Sequence, residues 1–135
     1  MLGLTLDTGA LIALEARDRR LRAILEHVRE HGRPVTVPAA VLAEWWRQPN
    51  RNDLRRSGIL SQERILQGFL VEPLTETLAK SAGAAAGQVG ATAVDAIVMA
   101  SAALRGDVVV TSDIEDLTRL QPIFREVRLL RATGA

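Results

Sequence analysis

A chain of 135 residues, 47% apolar and 24% charged, has the composition of an ordinary soluble protein and length enough for one domain, 1–135, with a real core. No apolar run reaches the roughly 18–20 residues of a membrane span, no signal peptide is apparent, and the lack of cysteine excludes a disulfide framework and a thiolate zinc site, so a reducing cytoplasm is the expected compartment. The net charge of +1 does not announce a nucleic-acid binder, although arginine supplies 16 of the 17 cations, and Arg47, Arg51, Arg55 and Arg56 crowd into "RQPNRNDLRR". Guanidinium groups of this kind chelate phosphate oxygens in pairs, and an arginine-rich solvated loop is the plainer reading.

Residues 2–6 read as a short strand that ends at Asp7 and Thr8, and "GALIALEAR" then takes helical spacing, with Asp7 or Thr8 as its cap. "DRRLRAILEHVREHG" is an amphipathic helix closed by Gly32. "PVTVP" is a strand, Pro38 suits the first turn of the helix "AAVLAEWWRQ", and Pro49 ends it. One or two short helices follow in "DLRRSGILSQERILQGFL", then a strand in "LVEPL" and a small-residue helix that frays into glycine in "TETLAKSAGAAAGQVG". The last elements are an apolar helix "TAVDAIVMASAALRG", a buried strand "DVVVTSD", a short helix "IEDLTRLQ" and a strand "VRLLR". Strands that alternate with helices predict an α/β fold with a largely parallel sheet covered on both faces.

That prediction disposes of one reading of "LTLDTGALIAL". D-T-G looks like the aspartic-protease signature, but those enzymes are all-β, and here helix formers follow Asp7 and no second D-T-G or D-S-G occurs. "HVREH" reads as an inverted zinc-protease motif, yet it closes a short helix among arginines and glutamates with no evident third ligand, so a solvated helix end fits His27 and His31 better. "GAAAGQVG" lacks the lysine and hydroxyl residue of a phosphate loop and follows a helix rather than a strand.

Four carboxylates stand apart from the surface acids. Asp7 ends "LGLTL", Glu44 is the only charge between Pro38 and Trp46, Asp95 is alone in "ATAVDAIVMASAAL", and Asp113 ends "VVVTS". Each has a local reading as a cap, a capping-box acid with Thr92 or Ser112, or a partner of Arg47. All four would have to hold at once. In an open parallel sheet the ends of the strands form the ligand edge, and Asp7 and Asp113 both follow strands directly. Isolated buried carboxylates need pairing or a cation. Oxygen-only donors suit Mg²⁺ or Mn²⁺, and such ions activate water against a phosphodiester.

The ordered set "LTLDTGALIAL", "VPAAVLAEWW", "TAVDAIVMASAAL" and "VVVTSDIEDL" resembles the four acidic motifs of PIN-domain ribonucleases, and the length and the start at the first strand resemble VapC toxins of bacterial toxin–antitoxin pairs. The resemblance implies a five-stranded sheet in the order 3-2-1-4-5, Mg²⁺ or Mn²⁺ as cofactor, single-stranded or looped RNA as substrate, a homodimer, and inhibition by a VapB-like antitoxin. Carried over by position, Asp7, Glu44, Asp95 and Asp113 match the catalytic, metal-binding acids. Thr8 matches the hydroxyl residue after the first acid, Thr111 the threonine that ends the fourth strand, and Asp116 a variable fifth acid, equally readable as an acid of a helix's first turn. Trp45, Trp46 and Leu54 are candidates for an antitoxin groove. A tryptophan here also fits the core or a stacked RNA base, and Arg47, Arg51 and Arg55 are the local basic field for RNA or antitoxin. The alternative is a PIN-like module that binds RNA or protein without cutting.

Overall fold

A computed structural model describes residues 2–46 and 58–132, with side chains from 62 onward in the second segment. Arg47, Arg51, Leu54, Arg55 and Arg56 lie outside the described residues. The elements run β1 (Leu4–Leu6), α1 (Thr8–Glu15), α2 (Arg19–Glu30), β2 (Val35–Pro38), α3 (Ala39–Trp45), α4 (Gly58–Leu66), β3 (Leu70–Glu72), α5 (Glu76–Val89), α6 (Ala93–Arg105), β4 (Val108–Thr111), α7 (Ile114–Thr118) and β5 (Arg128–Arg131). The five strands form one sheet in the order β3-β2-β1-β4-β5. Every pairing is parallel, with Leu4 opposite Val35 and Val108, Val37 opposite Val71, and Thr111 opposite Arg131. The expected α/β architecture and strand order are both present.

Short strands of apolar, largely β-branched residues build the centre. Leu6, Val37, Val109 and Val110 are fully buried, and Leu11, Leu21, Leu25, Met99, Leu117 and Leu120 close over them from the helices. The α2 pattern matches the sequence reading: Leu21, Leu25 and Val28 face inward, and Asp18 caps the helix by accepting from the Leu21 N–H at 2.8 Å. His27 and His31 are exposed at its far end, where His31 Nδ1 donates to the His27 carbonyl at 2.8 Å.

Two local expectations change. Pro38 ends β2 opposite Glu72 rather than opening the helix, because its backbone is extended (φ −62°, ψ 142°) and it serves as the N-cap of α3. The glycine-containing α5 does not fray. It runs regularly to Val89 and stops at Gly90, whose φ of 72° is a left-handed cap that glycine adopts without strain. Its small residues Ala82 and Ala85 are buried and let α5 pack closely on α6.

A polar network lies between α6 and the sheet. Arg105 donates to Glu72 (2.5 Å), Asp107 (2.9 Å), Thr5 (2.8 Å) and Ser101 (2.9 Å), while Thr5 donates to Asp107 at 2.9 Å and Ser101 to Glu72. One guanidinium therefore ties α6 to β1, β3 and the start of β4. With Asp107 almost fully buried, the fork geometry of arginine compensates a carboxylate that would otherwise be costly there.

Candidate functional site

The carboxyl ends of β1 and β4 carry the first and last of the four singled-out acids. Asp7 leaves β1 in extended conformation and caps α1: its Oδ1 accepts from the Ala10 N–H at 2.9 Å, and its own N–H donates to the Val110 carbonyl at 3.1 Å. The carboxylate is 7% exposed. Burial pushes its pKa up to about 6; hydrogen bonding from Thr111 and Ala10 opposes the rise, and the charges of Asp95 and Asp113 add to it.

Thr111 ends β4, fully buried, and its Oγ1 accepts from the Asp113 N–H at 2.8 Å. One threonine thus touches both acids of the strand edge. Asp113 begins α7 without a side-chain capping bond, unlike the capping box read from Ser112 and Glu115. Its carboxyl bonds instead to that of Asp116. That bond raises Asp113 first, with burial and the charges of Asp116 and Asp95 adding to it, and it lowers Asp116, which Arg119 also stabilises.

Asp95 sits in the first turn of α6, where Thr92 caps the helix by accepting from the Asp95 N–H at 3.1 Å. Burial raises its carboxyl first. Asp116 and Glu44 raise it further, against the Thr92 bond and the Arg119 charge. Glu44 projects from α3 and accepts a hydrogen bond from the Thr8 hydroxyl; Arg47, the partner read for it from sequence, lies outside the described residues. Acids from the ends of β1 and β4, from α3, α6 and α7 therefore lie within one another's fields. Among the described residues no three of them already stand at the spacing of a bound ion. Their chemistry does suit a hard divalent cation: the donors are all oxygen, and a cation among them would relieve both the burial cost of Asp7 and Asp95 and the lesser repulsion among the acids.

Arg119 was not among the residues singled out from sequence. It donates to Asp116 Oδ1 at 3.3 Å, and its only sequence signal was a place three residues after that acid. Trp45 is 2% exposed and donates from Nε1 to Glu15 at 2.7 Å, so it packs in the core and offers no ring face to a base. Trp46 is half-buried, edge-on to Trp45 with ring centroids 6.2 Å apart. Beyond the far end of α1 an open groove of about 450 Å³ is lined by Leu14, Leu25, Ile65 and Phe69 together with Arg17, Arg22, Arg29, Arg64, Glu15 and Glu26.

Comparison with solved structures gives the same fold. The chain is similar to the DNA-bound VapBC of Salmonella typhimurium (17% identity, 98% of this chain and 99% of that one, TM-score 0.75). It is similar also to VapBC2 of Rickettsia felis bound to a promoter DNA fragment (13%, 96% and 98%, TM-score 0.73) and to FitAcB of Neisseria gonorrhoeae (21%, 96% and 97%, TM-score 0.68). No curated protein matches the chain in sequence. The sequence model of the PIN domain matches residues 4–121, a span that holds all five strand-edge acids and four of the five strands. The chain belongs to the PIN domain family.

Proposed function

We propose that this chain is a single-domain, metal-dependent endoribonuclease acting in the cytoplasm as the toxin of a toxin–antitoxin pair. Asp7, Glu44, Asp95 and Asp113 would hold Mg²⁺ or Mn²⁺, with Thr8, Thr111 and Asp116 as their supports. The observation that carries the reading is the gathering of acids from separate crossovers at one sheet edge, at a cost in burial and, secondarily, in mutual repulsion that a purely structural role does not explain. When bound, the ion supplies a water acidic enough to attack and neutralises charge on the scissile phosphate.

The chain's own groups do the rest. Asp7 is fixed by the Ala10 N–H and excluded from bulk water, so its geometry is set before any ligand arrives. Thr8 holds Glu44 towards the same edge. Asp116, itself held by Arg119, lies against Asp113 and would steady that acid from the side away from the ion. No histidine lies among these groups, which accords with an acid-only site.

The antitoxin reading is supported by structural neighbours that include a toxin–antitoxin complex from Klebsiella pneumoniae, and by the groove past α1. Its apolar floor and arginine rim suit a protein segment with alternating apolar and acidic side chains. The toxin acts as a homodimer in this proposal. The test is cleavage of a panel of structured RNAs by partner-free protein with Mg²⁺ or Mn²⁺ and with EDTA, alongside Asp7→Ala. Metal-dependent cutting that vanishes in the variant supports the nuclease. RNA bound intact under every condition would instead make the chain a binding module.

A further inference from the structure

A cluster of acids repels the polyanion it is meant to cut, so a nuclease of near-neutral net charge needs cations placed close to its site. Three arginines stand there that the mechanism above does not use. Arg131 ends β5 directly opposite Thr111, the residue whose hydroxyl accepts from the Asp113 N–H. Arg20, in the first turn of α2, donates from Nη1 to the Arg131 carbonyl at 2.6 Å. Arg119, just past α7, reaches Asp116 and lowers both Asp116 and Asp95.

A chain of direct contacts therefore runs from Asp113 through Thr111 and Arg131 to Arg20. With neighbouring strands about 4.8 Å apart, the end of β5 lies roughly 10 Å from the end of β1. All three arginines are exposed, and among the described residues neither Arg20 nor Arg131 is paired with a carboxylate. Asp18, the acid nearest Arg20 in the chain, is occupied in capping α2.

We propose that Arg20, Arg119 and Arg131 form a phosphate track that carries single-stranded RNA past the acid cluster on the β5 side. The inference rests on the nuclease reading and names where its substrate lies. A track that begins at the acids fits a substrate that must reach them, whereas a protein partner has no such need. Exposed guanidinium groups on helix ends and an edge strand follow a flexible backbone and read no base edges, so binding through them is salt-sensitive and tolerant of sequence.

The test uses a labelled single-stranded RNA dodecamer and full-length protein carrying Asp7→Asn, in EDTA, with affinity measured against salt concentration. Adding Arg20→Gln, Arg119→Gln and Arg131→Gln together should weaken binding about tenfold or more at low salt and flatten the salt slope by about 2, at roughly 0.7 per phosphate contact. Arg33→Gln, at the opposite end of the sheet before β2, should leave both unchanged. Triple and control variants that bind alike overturn the track. So does a triple variant that keeps its RNA affinity but loses an acidic protein ligand, which would make the surface a protein dock. In cleavage assays with Asp7 restored, a raised KM in the triple variant supports the track. Cutting with an unchanged KM defeats the track alone, whereas a wild-type chain that neither cuts nor binds RNA with Mg²⁺ or Mn²⁺ defeats the nuclease reading as well.

Discussion

A β-carbon on Gly9 would lie 1.7 Å from the Ser112 hydroxyl oxygen and 2.7 Å from the Ser112 β-carbon. The glycine of D-T-G is there because the first turn of α1 rests directly on the end of β4, and this contact sets how near Asp7 comes to Asp113. Gly9→Ala should therefore cost about 2 kcal/mol by overpacking, measured by urea unfolding. Ser112→Gly, which removes both clashing atoms, should recover most of the loss in the double variant. Additive losses in the cycle would show that the contact does not set the spacing.

The Asp7 carboxyl gives the metal-free protein a pH dependence of definite sign. Its pKa is about 6 when folded against an ordinary aspartate value of 3.8, so between these values the folded chain binds more protons than the unfolded one. Stability should fall as pH rises through that window, by up to about 3 kcal/mol from Asp7, and the deficit should persist above it. Asp7→Asn can keep the Ala10 cap without the charge. In EDTA it should unfold at higher urea than wild type at pH 7.5 and at nearly the same urea at pH 4. A variant less stable at pH 7.5 would contradict the cause assigned to the shift.

Divalent metal should reverse that dependence. Mn²⁺ and protons compete for the same oxygens, so the rise in Tm on adding Mn²⁺ should be large at pH 7.5 and small at pH 5. Thermal scans at the two pH values, with wild type and Asp95→Asn, check this. Equal shifts in wild type and variant would place the ion elsewhere.

In the proposed metal site Thr8 supports a ligand without being one. Thr8→Val removes the hydroxyl that holds Glu44, an exposed side chain, so unfolding free energy should change by less than about 0.5 kcal/mol. Mn²⁺ affinity should fall about tenfold, as for other residues that orient metal ligands. Calorimetric titration of Mn²⁺ separates the two effects.

The buried network makes a stability prediction far from the strand edge. Arg105→Met leaves Glu72 and Asp107 facing each other without their cation and should cost about 3 kcal/mol, read by chemical denaturation. Arg105→Lys keeps the charge but not the fork and should recover only part of it.

The sheet was legible because short β-branched runs such as "VVVT" and "VTVP", bounded by turn residues, read as strands buried on both faces, and its order because the ordered acidic motifs resemble those of PIN domains. Asp7, Glu44, Asp95 and Asp113 stood out because each is a lone charge in apolar sequence. Asp107 is more buried than any of them, Glu44 and Asp113 being exposed, and it went unnoticed. In "LRGDVVV" it sits beside Arg105 and a glycine, which is how a surface turn reads; its partners Thr5 and Glu72 are remote in sequence, so only the fold reveals the network. Trp45 illustrates the same limit from the other side. Helical spacing left it open between core, groove and stacking, and its bond to Glu15, 30 positions away, decided for the core. Arg20 and Arg131 could not be linked beforehand, because the tie is to a backbone carbonyl 111 positions distant.

The strand order has a consequence for synthesis. β1, made first, pairs with β4, so β1 keeps one open edge until residues 108–111 have left the ribosome. Asp7 and Asp113 are the two ends of that delay. A nascent chain that has already folded α1, β2 and α3 carries Asp7 and Glu44 but neither Asp113 nor the Thr111 that joins the two halves of the edge. In the proposed toxin this topology acts as a timer: the acids cannot assemble before residues 108–113 are made, and a partner that meets the chain once α4 has folded finds the groove past α1 before then.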